Sequence, residues 1–167
     1  MVQLWVNLPA EKKMSIPRYQ QIFATDIPNI LLDKGAKMRV IAGQYPPNDA
    51  NGASDQGIEP SYGPAKSFTP VDLWDLQLQA GIEVTVALPQ NRYVGIVVLK
   101  GEALCNGEKL ETKDLAILKS GGNSVTLEAI GESMILILSG DPIDEPVVGH
   151  GPFVMNTREE IKQASLD

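Results

Sequence analysis

GIEVTVALPQNRYVGIVVLKG, residues 81–101, decides how this chain folds. Two glycines bracket it, and inside them lie two short apolar runs, IEVTVAL and VGIVVLK, each of which reads as a strand. The same pattern continues outward on both sides. Upstream, Trp74, Leu76 and Leu78 alternate with Asp75, Gln77 and Gln79, the period-two signature of a half-buried strand. Downstream come EALC, DLAILK, SVTLEA and SMILILSG. Between EALC and EKLET, Asn106-Gly107 predicts a tight hairpin, because a type I′ turn needs positive φ at both central residues. Many short strands at regular spacing predict a sandwich or barrel, which also hides edges that would otherwise be exposed.

At 167 residues and 18.1 kDa the chain is long enough for one domain with a sizeable core. Hydrophobic content of 43% and a mean hydropathy of -0.06 describe an ordinary globular protein. The formal net charge is -7, and no stripe of Lys or Arg relieves it, so no direct nucleic-acid partner is expected. Cys105 is the single cysteine, which rules out an intrachain disulfide and fits a reducing compartment. Residues 1–14 lack the basic and apolar regions of a signal peptide, and the apolar runs are too short to span a bilayer. The expectation is a cytoplasmic protein (nuclear if eukaryotic) with no membrane partner.

The chain divides into three stretches, 1–35, 36–150 and 151–167. The first holds strand-like pieces, VQLWVN, PRYQQI and IPNILL. Eight of the 12 prolines precede Val71, which argues against long helices there. Residues 43–70, rich in Gly, Pro, Asn, Asp and Ser, read as a long surface loop. In the last stretch, Thr157-Arg158-Glu159-Glu160 fits a capping box that opens a short helix, with Ile161 and Ala164 on its apolar side.

The spacing of residues 81–101 resembles the metal-binding cupin motif, G-x5-H-x-H-x4-E-x6-G, at both glycines. Its ligand positions fall on Ala87, Pro89 and Val94, and a fourth ligand on a later strand aligns near Ser124. None of the first three carries a side-chain N, O or S donor. The ends of the chain are similar to the pirin family. QLWVNLP (3–9) and PRYQ (17–20) look like the junction in the middle of pirins, and GPFVMNTREEI (151–161) resembles their carboxy-terminal signature. MRVIAG (38–43) and DLWDLQL (72–78) also match, and an apparent insertion lies within residues 46–60.

The pirin resemblance implies a two-barrel protein whose iron sits in the first barrel on three histidines and a glutamate. The chain starts near the end of that first barrel and stops at Asp167, soon after its last helix begins. What remains looks like the junction, the metal-free second barrel and the tail. Family members are associated with flavonol (quercetin) dioxygenase activity and, in eukaryotes, with co-regulation of transcription.

Other chemistry-bearing residues point to structure. A histidine-based metal site needs more than one imidazole, and His150 is the single histidine, so it reads as an exposed loop residue. Cys105 lies between acidic neighbours, Glu102 and Glu108, the wrong surroundings for a reactive thiolate; it reads as a buried structural cysteine. Asp141, Asp144 and Glu145, punctuated by Pro142 and Pro146, read as a solvated turn. Asp75 reads as a structural hydrogen-bond partner. Gly121-Gly122 reads as a turn, not a phosphate loop. Trp5, Trp74, Tyr19, Tyr93 and Phe153 read as core or interface.

The fold expected is therefore all-β, a cupin-type jelly-roll barrel with a strand-rich amino-terminal extension and a short carboxy-terminal helix. No catalytic, cofactor-binding or metal-binding residue is assigned, and no cofactor. The leading function is a non-catalytic pirin-like module that binds a protein or a small apolar ligand. Leu4, Trp5, Val6, Phe153 and Val154 should leave an apolar patch that a homodimer covers. The alternative is an iron-dependent oxidoreductase of the flavonol dioxygenase type, its metal held in an unrecognised site or supplied by a partner chain.

Overall fold

The computed structural model describes residues 2–48, 57–119 and 121–166. Its strands are β1 (Asn29–Leu31), β2 (Lys37–Ala42), β3 (Gln44–Tyr45), β4 (Ser61–Tyr62), β5 (Val71–Leu78), β6 (Glu83–Ala87) and β7 (Tyr93–Lys100). They continue as β8 (Ala103–Cys105), β9 (Glu108–Leu110), β10 (Leu115–Ile117), β11 (Ser124–Ala129), β12 (Ser133–Gly140), β13 (Val148–His150) and β14 (Phe153–Met155). The helices are α1 (Ala10–Lys13) and α2 (Arg158–Ala164). The chain folds as two compact units, residues 20–141 and residues 1–19 with 142–167.

The larger unit is the jelly-roll barrel that the strand pattern predicts. One sheet has the order β1-β2-β5-β12-β7-β10 and the other β6-β11-β8-β9. Their inward residues form one apolar cluster. Met38, Val40, Trp74, Leu76, Ile96, Ile135 and Ile137 come from the first sheet, and Val84, Val86, Val125 and Leu127 from the second. Period-two alternation explains the choice: on β11, Val125, Leu127 and Ala129 are buried while Ser124 is exposed. The β8–β9 hairpin turns at Asn106 and Gly107, with φ of 49° and 86°, as their dipeptide requires. Asn106 is also tied to β11, where its Oδ1 accepts from the Thr126 N–H at 3.0 Å.

Three expectations change in detail. β5 is not half-buried: Trp74, Asp75 and Leu76 are all below one-tenth exposed. Strand β5 sits between β2 and β12, and the Asp75 carboxylate is neutralised by Arg39 of β2. In the amino-terminal stretch, IPNILL carries β1, but VQLWVN and PRYQQI form no strand and have no ladder partner among the described residues. Within residues 43–70 the flanks are anchored, because β3 pairs with β4 and the Ala65 N–H donates to the Ile41 carbonyl at 3.0 Å. Gly63 is needed there, since a Cβ would lie 2.5 Å from the Ala42 backbone nitrogen. Residues 49–56, most of the apparent insertion, lie outside the described residues.

The smaller unit contains α1, the β13–β14 ribbon and α2. Here the capping box forms as its sequence predicts. The Thr157 Oγ1 accepts from the Glu160 N–H at 3.2 Å, and Glu160 Oε2 accepts from the Thr157 N–H at 2.8 Å. Glu160 Oε2 also accepts from the Asn156 N–H at 2.9 Å. Ile161 is the buried anchor of the helix, 8% exposed, and Ala164 is half-buried beside it.

Those two backbone donors, Asn156 first and then Thr157, hold the Glu160 carboxyl below the usual glutamate range. A carboxyl with a depressed folded pKa stabilises the fold above its unfolded pKa, and that contribution is lost as pH falls through the folded value. We therefore expect α2 to fray on acidification below the ordinary glutamate range, read as rising amide exchange in residues 158–164. Glu160→Gln should remove most of that pH dependence.

Candidate functional site

The positions that the cupin spacing marks out lie at or just beyond the ends of three strands, β6, β7 and β11. Ala87 closes β6 and stands opposite Ser124 at the start of β11. Val94 on β7 stands opposite Ser139 on β12. Ala87, Leu88, Pro89 and Val94 are buried, so the strict alternation of β6 ends at Ala87, whereas Ser124 is exposed. The four marked positions do not converge on a polar centre. A cupin metal does not fit them: three carry only hydrocarbon, and the fourth offers a single exposed hydroxyl. Among the described residues, no group of three His, Cys, Asp or Glu side chains is placed to hold a metal ion. At this end of the barrel a cavity of about 240 Å³ is lined by Leu88, Val94 and Leu118 together with Arg92, Asn106 and Lys119.

The polar chemistry of the barrel lies beside it, on Asp72. This residue is on the inward register of β5, near the end of the strand, where Ser139 of β12 is its direct neighbour. Its side chain is 5% exposed. Oδ2 accepts from the Ser139 Oγ at 2.7 Å and from the Arg92 Nη1 at 2.5 Å. Oδ1 accepts from the Gln44 N–H at 3.2 Å. Arg92 is shared, for its Nε donates to Asp141 Oδ1 at 2.5 Å. Burial alone would lower the guanidinium pKa; Asp72 and Asp141 outweigh it and hold it above the ordinary arginine value. Gly43 makes the cluster possible, because its φ is +74° and a Cβ there would collide with the Asp72 carboxylate.

Every oxygen of this carboxylate is occupied by a donor, so its role in the fold is to join strands. The cluster clamps β3, β5, β7 and β12 at one end of the barrel. It also lines a cavity of about 430 Å³ with Gln44, Tyr62 and Ser67. Deeper in the core, Trp74 and Tyr45 meet edge to face at 5.0 Å, and Trp74 Nε1 is buried without a hydrogen-bond partner among the described residues.

The remaining sequence candidates are scattered. Cys105 is buried, and desolvation pushes its thiol up, which suits a structural cysteine. His150 is exposed on β13, in the smaller unit. The GDPIDEP segment is more than a solvated turn. Asp141 pairs with Arg92, and Glu145 Oε2 accepts from the Ala10 N–H at 2.7 Å and from Asn156 Nδ2 at 2.9 Å. Of the five aromatics, Trp74 is core and Phe153 is half-buried, while Trp5, Tyr19 and Tyr93 are exposed. Leu4, Trp5 and Val6 are 43%, 70% and 54% exposed. Trp5 and Val6 share a recess of about 360 Å³ with Val154 and Met155. The Asp72–Arg92 pair was not apparent from sequence. Its one signal was an acidic residue on the register of Trp74 and Leu76, where only a paired charge is tolerated.

Comparison with known proteins places these features in a family. Residues 73–167 match the Pirin C-terminal cupin domain. A Pseudomonas aeruginosa protein carrying the provisional name quercetin 2,3-dioxygenase is 41% identical over 168 residues, covering 100% of this chain and 54% of that protein. Human pirin is 33% identical, covering 99% of this chain and 54% of its own length. The crystal structure of a quercetin 2,3-dioxygenase from Acinetobacter baumannii superimposes with a TM-score of 0.85 at 40% identity. It covers 98% of this chain and 53% of that one. The chain thus spans about half the length of the curated relatives it matches.

Removing one partner of a buried pair leaves the other charge uncompensated. Arg92→Met should lower unfolding stability by on the order of 3 kcal/mol in urea denaturation. Asp72→Asn combined with Arg92→Met should recover part of that loss, because the orphaned carboxylate is gone. A single Arg92→Met variant as stable as the parent would show that the pair is dispensable.

Proposed function

The chain belongs to the pirin family, and we propose that it is a pirin-type cupin module that works by binding and not by catalysis at its own barrel. The observation that carries this reading is what occupies the motif positions. Ala87, Pro89 and Val94 replace donors with hydrocarbon, and the barrel interior behind them is closed by Trp74, Leu76, Ile96, Leu127 and Ile137. A catalytic cupin keeps an accessible polar centre there, because substrate and metal must meet in it. The acidic residue best placed for chemistry, Asp72, is committed to Arg92, Ser139 and Gln44.

The binding surface is the apolar strip of Leu4, Trp5 and Val6 with the recess that Trp5 and Val6 share with Val154 and Met155. A large aromatic exposed beside aliphatic neighbours is the composition of an interface core. The occupant proposed is a second copy, the two chains pairing as the two barrels of a pirin do. A second reading follows from the relatives. Those named quercetin 2,3-dioxygenases are about twice as long, so in a flavonol dioxygenase this module would stand as the structural half beside a metal-bearing barrel.

Multi-angle light scattering at micromolar concentration tests the dimer. The expected result is a mass of two chains, reverting to one chain in Trp5→Ser with the barrel still folded by circular dichroism. A monodisperse monomer in the parent protein would contradict the homodimer and leave the strip to a different partner.

A further inference from the structure

The smaller unit has a second recess, on the opposite chemistry from the first. Helix α2 packs against the β13–β14 ribbon, and between them runs a groove of about 730 Å³. Val148, Ile161 and Leu166 supply its apolar lining, and His150, Arg158 and Lys162 its basic side chains. Arg158 and Lys162 are four residues apart on a helix and so project from one face. His150 enters from the ribbon, at the end of β13.

The protein carries a net charge of -7, and six of its 14 Lys and Arg residues, Lys12, Lys34, Arg39, Arg92, Lys100 and Lys109, sit in ion pairs with carboxylates. Among the described residues, none of His150, Arg158 and Lys162 makes an ion pair. On helix α2, Glu160 is held by the backbone at Asn156 and Thr157, and Glu159 does not line the recess. Leu166 is 83% exposed at the groove's end, an aliphatic side chain with nothing over it among the described residues.

We propose that this groove docks an acidic peptide segment with an apolar anchor. Apolar side chains of the segment would lie on Val148, Ile161 and Leu166, and its carboxylates would face Arg158, Lys162 and His150. Charge complementarity selects the occupant. A basic partner would meet the like charges of Arg158 and Lys162. The proposal is independent of what the barrel does, since none of these residues belongs to it.

Fluorescence anisotropy with a short, capped, labelled peptide alternating glutamate and leucine tests it on the full chain. The parent protein should bind this probe, and binding should weaken with added salt. It should discriminate against the same peptide with glutamine for glutamate. Arg158→Glu with Lys162→Glu should weaken binding by about tenfold or more. Both residues are exposed, so the helix should survive, as circular dichroism would verify. Leu166→Ser, which removes the anchor contact without touching charge, should weaken binding too. Failure of the acidic peptide to bind, equal binding of the glutamine peptide, or unchanged affinity in the charge-reversed protein would each overturn the proposal.

Discussion

The barrel depends on one pairing, that of β5 with β12. Their eight residue pairs run from Val71 opposite Gly140 to Leu78 opposite Ser133, without a register shift. Because both are interior strands of the larger sheet, most of their side chains leave water, and the residues on them set the interior of the fold. Trp74, Leu76, Ile135 and Ile137 supply hydrocarbon to the core. Asp72 and Ser139, one step nearer the strand end, supply a fully satisfied polar cluster. A slip of one residue would turn every one of these to the other face and aim Asp75 at the core in place of Trp74, which is why the register admits no alternative.

That arrangement also fills the barrel end with hydrocarbon and self-satisfied polar groups. In the cupin motif the metal sits where the strand ends meet, and there the present chain has placed Ala87, Pro89 and Val94. Polar groups survive where they complete one another. Asp72 is matched by Arg92, Ser139 and the Gln44 N–H, and Asp75 by Arg39. Such clusters hold strands in place, and their charges are already answered. Two surfaces of the other unit differ. One is an apolar strip at Trp5, and the other is a cationic groove at Arg158 and Lys162. The proposed function is accordingly a matter of surfaces.

Much of this was legible in the sequence, for reasons that are local. Strand alternation in β5, β6 and β11, the Asn106-Gly107 turn and the Thr157–Glu160 box each depend on residues a few positions apart. The hydrocarbon at the motif positions could be read from spacing alone. What could not be read were the meetings between distant strands. Arg92 and Asp72 are 20 residues apart, Ser139 and Asp72 are 67 apart, and no periodicity announces either. The same holds for the burial of Asp75, which alternation assigns to the solvent face and Arg39 makes tolerable. VQLWVN has the composition of a strand yet forms none in the described residues, because a strand exists only where a partner strand does. His150 reads from the sequence as an exposed loop residue, and its place beside Arg158 and Lys162 depends on α2 packing against the ribbon.

The proposed function requires that this barrel hold no catalytic metal. Elemental analysis decides it, on protein purified without a histidine tag, after anaerobic loading with ferrous iron and removal of unbound metal. The expected result is transition metal far below one equivalent per chain, with no ring opening of a flavonol by the loaded protein. Close to one equivalent of iron per chain, released when the protein unfolds and accompanied by turnover, would contradict it and place a metal centre in this barrel.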